Sequence, residues 1–285
     1  MSLPLESALG IGGTALYCVS AVLALVALLR SGERKDNAPV ILLAGGMLLL
    51  MTLLSVRLCC TDNMPVFSRF DALASYALAL SAAYLLLAAF RPTRGIAAIL
   101  IPYAAVSLLC GVSALRMGTG APLPVQGFWL VSHVITAYAA FGVFTLASLN
   151  AVLYLVQDSN LKHKRLGLVW ERLPSLETLD HLMSRLAGVA FLLLTISVVL
   201  GFVLVRRSGG GDDWFTDPKV LATIVTWIVL AVFVHMRASA DRHGRGIALM
   251  ALVGLACLLF AFVGVPLVAH TLHSFLQMHA GVPRP

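Results

Sequence analysis

Histidines are the side chains of this sequence best suited to chemistry, and all eight lie at or after position 133. His133 stands near the start of one long apolar run. His270 and His273 close another run, three residues apart and so on one face of a helix. A neutral imidazole can ligate a metal or carry a proton. The chemistry of this chain is therefore expected in its second half.

A short acidic and aromatic loop separates two other apolar runs of that half. Its sequence, GGGDDWFTDPK at positions 209–219, combines aromatic rings with charges, and two arginines precede it. The residues of interest are Arg206, Arg207, Trp214, Phe215, Asp217 and Lys219. A haem would use such groups together with imidazoles, because aromatic rings pack on the porphyrin, cations pair with its propionates and imidazoles bind the iron. The combination indicates a haem site.

Each of these residues also has a simpler interpretation. A histidine at a membrane edge often anchors a helix at the interface or hydrogen-bonds a neighbouring helix. Trp214 fits the aromatic belt of a membrane protein. Asp217 and Pro218 form an ordinary helix start, with the aspartate as N-cap and the proline in the first turn. Spacing alone leaves both interpretations open.

The elements that must position these residues are membrane helices. The chain is 60% hydrophobic and 12% charged, and its charges cluster between apolar runs of about 20 residues, the length that crosses a bilayer as a helix. Eight such runs occur: 7–29, 38–56, 72–90, 95–115, 128–156, 186–205, 220–236 and 247–269. We predict an all-α, polytopic membrane helix bundle with about eight transmembrane helices.

The distribution of lysine and arginine predicts the orientation. Thirteen of the 20 basic residues fall in the loops of one side, which the positive-inside rule assigns to the cytoplasm. Both termini and the loop 206–219 are then on the outer side, with His133 and His273, whereas His181 and His235 lie at the inner edge. The basic residues form no stripe, so the net charge of +7 indicates anionic membrane lipid as a partner and no nucleic acid.

Two regions can be distinguished along the chain. Residues 1–127 hold the first four runs, which contain no histidine or charged residue, only small residues such as Gly45 and Gly46 that permit close packing. Residues 128–285 hold the histidines and the outer aromatic loop 206–219. Between the fifth and sixth runs, residues 157–181 are expected to form an amphipathic interfacial helix broken at Pro174.

The second region resembles the CcsA/CcmC-type cytochrome c assembly family. WFTDPKVLATIVTWIVLAVFVHMR, at 214–237, is similar to the family's tryptophan-rich "WWD" segment and the helix after it, which ends in L-H-x-R. WLVSHVITAYAAF, at 129–141, resembles the helix of its first outer histidine, and LDHLMSRLAGVAFLLLTISVVLG, at 179–201, the next helix. RGIALMALVGLACLLFAFVGVPLVAHTLHSF, at 245–275, resembles its last helix.

This resemblance implies roles for particular residues. His133 and His273 would be the outer axial ligands of a transiently bound haem b, and Trp214 and Asp217 would belong to its platform. His235 would serve an inner site of haem uptake, for which we add His181 as a candidate partner. The family also implies apocytochrome c and a second membrane assembly subunit as partners, in a bacterial inner (plasma) membrane.

The expected function is to hold haem for attachment to apocytochrome c, as an assembly factor without catalytic residues of its own. The loop has fewer tryptophans than the family pattern, and Pro266 replaces an asparagine. These differences point to the HemX-like branch, whose alternative function is regulation of haem biosynthesis without haem transfer. A third alternative, a small-molecule transporter, would require charged or broken helices around a midplane site.

Overall fold

The residues that the structure describes form eight helices of membrane-spanning length and composition, as the sequence predicts. A computed structural model describes residues 3–30, 37–61, 69–90, 94–112, 115, 127–164, 173–207, 212–239 and 243–268. The helices are α1 (Leu3–Leu29), α2 (Ala38–Thr61), α3 (Arg69–Phe90), α4 (Arg94–Val112), α5 (Phe128–Lys162), α6 (Leu176–Arg207), α7 (Pro218–Ser239) and α8 (Arg245–Leu259). Within these ranges every regular element is helical, so the all-α multi-pass membrane fold is confirmed.

Three shorter elements complete the described chain. A 3-10 turn, Asp212–Thr216, precedes α7. The last span continues from α8 through a π-helical turn, Phe260–Gly264, into the short helix α9 (Val265–Val268). Pro266 lacks the N–H that an α-helix would bond to the carbonyl of Phe262, which accounts for the widened turn before it.

The spans alternate in direction, which defines two faces of the bundle. We call the face where α1, α3, α5 and α7 begin the first face, and the opposite one the second face. The predicted haem site at His133 and loop 206–219 belongs to the first face, and His235 and His181 to the second. Which face is outside the cell stays a prediction from the basic residues.

Helix α5 is the most buried span and packs against both halves of the bundle. Its contact with α3 depends on Gly142, where an added Cβ would lie 2.6 Å from the backbone carbon of Ala79 and the backbone nitrogen of Leu80. Only a residue without a side chain permits this approach. The division at residue 127 is a prediction that the shared packing does not test.

The predicted close packing of small residues occurs between α1 and α2. A Cβ on Gly46 would lie 2.8 Å from the Tyr17 ring and 3.2 Å from the Gly13 carbonyl oxygen. A Cβ on Gly45 would meet its nearest neighbour, Leu16, at an ordinary 3.6 Å. Gly46 is therefore the member of the pair that sets the distance between the helices.

A buried ion cluster joins the first four helices at the first face. The guanidinium of Arg57 in α2 hydrogen-bonds the carboxylates of Glu6 in α1 (3.1 Å) and Asp71 in α3, and the carbonyl oxygen of Leu115, after α4 (3.0 Å). Arg57 is 3% exposed and Asp71 0%. The apolar runs 7–29, 38–56 and 72–90 each stop one residue short of a charge, but the helices continue through it. The apolar runs of the first region contain no charged residue, but the helices that include them carry this cluster at their first-face ends.

The segment 157–181 also differs from its prediction. Helix α5 continues to Lys162 and α6 begins at Leu176, so both ends of the segment belong to spanning helices and project at the second face. Pro174 lies before α6, outside helical structure. Residues 165–172, the centre of the expected interfacial helix, lie outside the described residues.

Candidate functional site

His133 lies in the second turn of α5, against α6. Its Nδ1 is 2.8 Å from the carbonyl oxygen of Ser197. A carbonyl oxygen only accepts, so Nδ1 must carry the hydrogen, and in the neutral imidazole Nε2 then holds the lone pair. In protein metal sites the same arrangement, a histidine Nδ1–H on a backbone carbonyl, fixes the ring with Nε2 as the ligand atom. The structure therefore gives His133 the tautomer that an axial ligand needs.

Two further contacts with α6 fix the position of His133. The hydroxyl of Ser197 donates to the backbone carbonyl of His133 at 3.2 Å. Gly201, one turn further along α6, lies beside the ring: a Cβ there would be 3.0 Å from Cε1 and 3.2 Å from Nδ1. Ser197 and Gly201 are four residues apart and so share the face of α6 that receives the imidazole. Sequence reasoning did not identify either residue.

We expect Gly201→Val to weaken a ligand bond to His133, because the new side chain pushes the ring off its hydrogen bond with Ser197. Overpacking of this kind costs about 1–3 kcal/mol, which corresponds to a loss of roughly ten- to a hundredfold in affinity for a ligand that needs the native ring position. Gly188→Val is the matched control on the same helix, since a Cβ at Gly188 meets nothing within 4 Å. The readout is a haem titration of both variants by absorption. Equal affinities would contradict the assigned role of the ring position.

Aromatic rings and cations connect the first-face ends of α5, α6 and the 3-10 turn. Arg207 lies over the ring of Trp129, 4.7 Å from its centroid, and Trp129 is one helical turn before His133. Arg206 lies 5.6 Å from the ring of Phe202. The Phe202 ring is in turn 5.8 Å from that of Trp214. Trp129 and Phe202 extend the predicted aromatic group, and their positions four residues before His133 and Arg206 are the sequence signal that could have identified them.

Phe215 completes this aromatic series. Its ring centroid is 3.7 Å from that of Trp214, with an angle of 31° between the planes. Phe215 is half exposed at 51%, so one of its faces is available to a ligand. A flat apolar ligand that approached the first face beside α6 would meet the Trp214–Phe215 pair.

Asp217 caps α7, as its position before a proline predicts. Its Oδ1 accepts hydrogen bonds from the backbone N–H groups of Lys219 (2.8 Å) and Val220 (3.2 Å). The carboxylate is 5% exposed. The simpler interpretation of Asp217 and Pro218 as a helix start is therefore confirmed, and Asp217 fixes where Lys219 begins the helix.

The two histidines predicted for an inner site, His235 and His181, are both exposed. His235 continues a line of exposed residues along α7, and its Nδ1 lies 3.3 Å from the Oγ of Ser239. Its line is formed by Leu221, Val225, Ile228 and Val232. His181 is 56% exposed, and its Nε2 lies 3.9 Å from Glu177 on its own helix. No hydrogen bond joins His181 to His235, so their pairing stays a prediction.

A charged cluster that the sequence did not predict lies next to His235. The carboxylate of Asp180, at the start of α6, is 3.0 Å from Arg237 and 2.8 Å from Nδ1 of His243. Arg237 and His243 also contact each other. Since Arg237 is two residues after His235, this cluster fixes the end of α7 that carries His235.

The donor set of the described residues suits haem better than a bare metal ion. In the ranges that the structure describes, no three His, Cys, Asp or Glu side chains are grouped to hold a metal. Haem iron needs less, because the porphyrin supplies four ligands and the protein one or two axial side chains. His133, with Nε2 as its lone-pair atom, fits one axial position. His273 lies outside the described residues, so the second axial position stays a prediction.

Comparison with known proteins gives a match over most of the chain. The family model described as "Cytochrome C assembly protein" matches residues 14–273. A protein named "Cytochrome c biogenesis protein CcsA" from Parasynechococcus marenigrum (strain WH8102) is 28% identical over 299 residues, covering 96% of this chain and 98% of the relative. CcsA of Porphyra purpurea is 28% identical over 86% of this chain and 88% of its own.

A third relative aligns more locally. CcsA of Chlamydomonas reinhardtii is 31% identical over 151 residues, which cover 53% of this chain and 41% of the relative.

Proposed function

Since this chain belongs to the cytochrome c assembly protein family, we propose that it binds haem b transiently at its first face and presents it for attachment to apocytochrome c. Cytochrome c biogenesis is the role of the family, and the haem site is our proposal. The observation that carries it is the hydrogen bond from Nδ1 of His133 to Ser197, which leaves Nε2 as the ligand atom. In this proposal the first face is the outer side of a bacterial inner (plasma) membrane.

In this proposal the residues of the first face have separate roles in holding the haem. His133 and His273 bind the iron from two sides, and the Trp214–Phe215 pair packs on the porphyrin. Arg206, Arg207 and Lys219 pair with the propionates, for which the two arginines exchange a ring partner for a carboxylate. Asp217 acts through the backbone, because it fixes the start of α7 and with it the position of Lys219.

The chemistry of attachment belongs to the haem and its client. Bound haem supplies two vinyl groups, which form thioethers with the cysteines of a C-x-x-C-H sequence in apocytochrome c. This chain would hold and orient the cargo and use no nucleophile or acid–base pair of its own. A ligand held by two histidines stays in place while a client peptide approaches the exposed edge of the porphyrin.

At the second face we propose a haem uptake site at His235, with His181 as a candidate partner. Arg237, Asp180 and His243 hold the helix end that carries His235. A second membrane assembly subunit is the further partner that the family resemblance implies, and we propose it for this chain.

The test is an absorption spectrum of the detergent-purified protein beside four variants. We expect a Soret band with bis-imidazole character in the wild-type protein, and a strong loss of intensity in His133→Ala and in His273→Ala. His163→Ala is the control, because His163 caps the other end of α5 and hydrogen-bonds the carbonyl of Ser159. Free imidazole should restore the band in His133→Gly. A wild-type protein that stays colourless after haem reconstitution would contradict the proposal.

One observation favours the regulatory alternative. Asp217, Arg206 and Arg207 already have partners in the protein, so the loop could serve only to connect α6 and α7. A HemX-like regulator of haem biosynthesis would then depend on the second face, including residues 157–181. Substitution of the exposed Glu177 and His181 would change haem synthesis in cells, whereas Trp214→Ala would not. The haem-transfer proposal predicts instead that Trp214→Ala lowers cytochrome c assembly and that neither substitution changes haem synthesis.

A further inference from the structure

A cavity of about 350 Å³ lies beside the first face, between α3, α4 and the last span. This volume is within the range of ligand sites in proteins. Its walls are mainly aliphatic and aromatic side chains. They include Leu73, Val106, Leu259, Phe262, Val263 and Leu267. No histidine is among the described residues that line it, and His133 of the proposed haem site is not one of them.

The polar groups of the cavity bond to protein partners. The hydroxyl of Tyr76 is 3.0 Å from that of Tyr103 and 2.6 Å from that of Thr145. The hydroxyl of Ser107 donates to the carbonyl of Ala104 at 2.7 Å. Because these groups already have hydrogen-bond partners in the protein, a ligand need not supply hydrogen bonds to the cavity interior. Such a lining suits hydrocarbon.

The cavity opens sideways, toward the lipid. Val106, Val263 and Leu267 line it and are also among the exposed apolar residues of the bundle. The π-helical turn Phe260–Gly264 carries two of the wall residues, Phe262 and Val263. The departure of the last span from α-helical geometry therefore lies directly at the cavity.

Arg69 stands at the mouth of the cavity, in the first turn of α3. Its side chain is exposed, and no carboxylate of the described residues forms an ion pair with it. The start of a membrane-spanning helix places the guanidinium at the level of the lipid headgroups. Arginine binds phosphate through two parallel hydrogen bonds.

We propose that this cavity binds an anionic phospholipid, with one acyl chain between α3, α4 and the last span and the phosphate against Arg69. The apolar walls select a hydrocarbon chain, the lateral opening admits it from the bilayer, and Arg69 selects a negative headgroup. The site is separate from His133 and does not depend on haem binding. Loss of the haem proposal would leave it intact.

Native mass spectrometry of the full-length protein in mild detergent tests the site. Palmitoyl-oleoyl phosphatidylglycerol is titrated against phosphatidylcholine with the same chains. We expect one tightly retained phosphatidylglycerol. Arg69→Gln should lower its binding constant about fivefold, the effect of one basic residue on an anionic lipid at a membrane surface, and should abolish the preference over phosphatidylcholine. Arg245→Gln, an exposed arginine at the opposite face, is the charge control.

A second variant tests the hydrocarbon part of the site. Ser107→Trp fills the cavity and should remove the tightly retained lipid of either headgroup. Val253→Trp adds the same ring to an exposed position of α8 outside the cavity and should leave the lipid in place. Arg69 is exposed, so Arg69→Gln folds even if Ser107→Trp does not. Equal lipid retention by wild type and Arg69→Gln, or no preference for phosphatidylglycerol in the wild type, overturns the proposal.

Discussion

Replacing Arg57 by leucine is expected to lower the free energy of unfolding by about 3–5 kcal/mol, the cost of leaving a buried ion pair without one partner. Arg57 and Asp71 are 3% and 0% exposed, so water cannot replace the lost guanidinium. The substitution would also remove a hydrogen-bond donor from the carbonyl of Leu115. Because Arg57 contacts three other elements, the loss would separate α1, α3 and the end of α4 at once.

The measurement is thermal unfolding in detergent, followed by the loss of the monodisperse peak in fluorescence-detected size-exclusion chromatography. For a chain of this size the expected drop in midpoint is roughly 10 °C. Lys162→Met is the control, because its ion pair with Asp158 is on the surface, with Lys162 61% exposed. Such a pair contributes about 0.3–0.5 kcal/mol.

The double variant Arg57→Leu with Asp71→Leu separates charge burial from packing. The double variant leaves no fully buried carboxylate without its guanidinium, since the remaining partner Glu6 is 21% exposed and reaches water. The double variant should therefore be more stable than Arg57→Leu alone. Equal stability of wild type and Arg57→Leu would show that the cluster contributes nothing to the fold.

The second large effect is expected from a single methyl group at Gly142. In Gly142→Ala the new Cβ would lie 2.6 Å from two backbone atoms of α3, which cannot rotate away as a side chain could. Helices α3 and α5 must then move apart, at a cost of about 3 kcal/mol or more. We expect a lower unfolding midpoint and a reduced yield of monodisperse protein.

Gly188→Ala is expected to raise the free energy of unfolding slightly, and it is the control for Gly142→Ala. A Cβ at Gly188 meets nothing within 4 Å, and alanine is the better helix former by about 1 kcal/mol. The same change from glycine to alanine should therefore stabilise α6 slightly while it disrupts α5. If both variants unfold at the same temperature, the close approach of α3 and α5 does not occur in the protein.

The fold was predictable because length and apolar composition determine spanning helices directly. All eight runs correspond to observed helices, and the cap at Asp217 followed from its position before Pro218. These features depend on neighbours in sequence. The ion cluster was missed because Glu6, Arg57 and Asp71 each stand one residue beyond an apolar run, where a sequence pattern cannot distinguish helix from loop.

The candidate site was predictable in its residue types but not in its contacts. His133 and the aromatic loop stand out in the sequence, yet Ser197 and Gly201 look like ordinary helix residues. Their role depends on the rotation and depth of α6 against α5, which many pairs of side chains determine together. The sequence assigned His181 and His235 to the same face of the bundle. It could not tell whether the two side chains contact each other, for the same reason.

The close contact at Gly142 divides α5 into two arms of unequal length. Nine residues separate this contact from His133, and 20 separate it from Lys162 at the far end of the helix. At 1.5 Å per residue the two arms measure about 14 Å and about 30 Å. If α5 tilted about this contact, its end at the second face would move about twice as far as His133, and in the opposite direction.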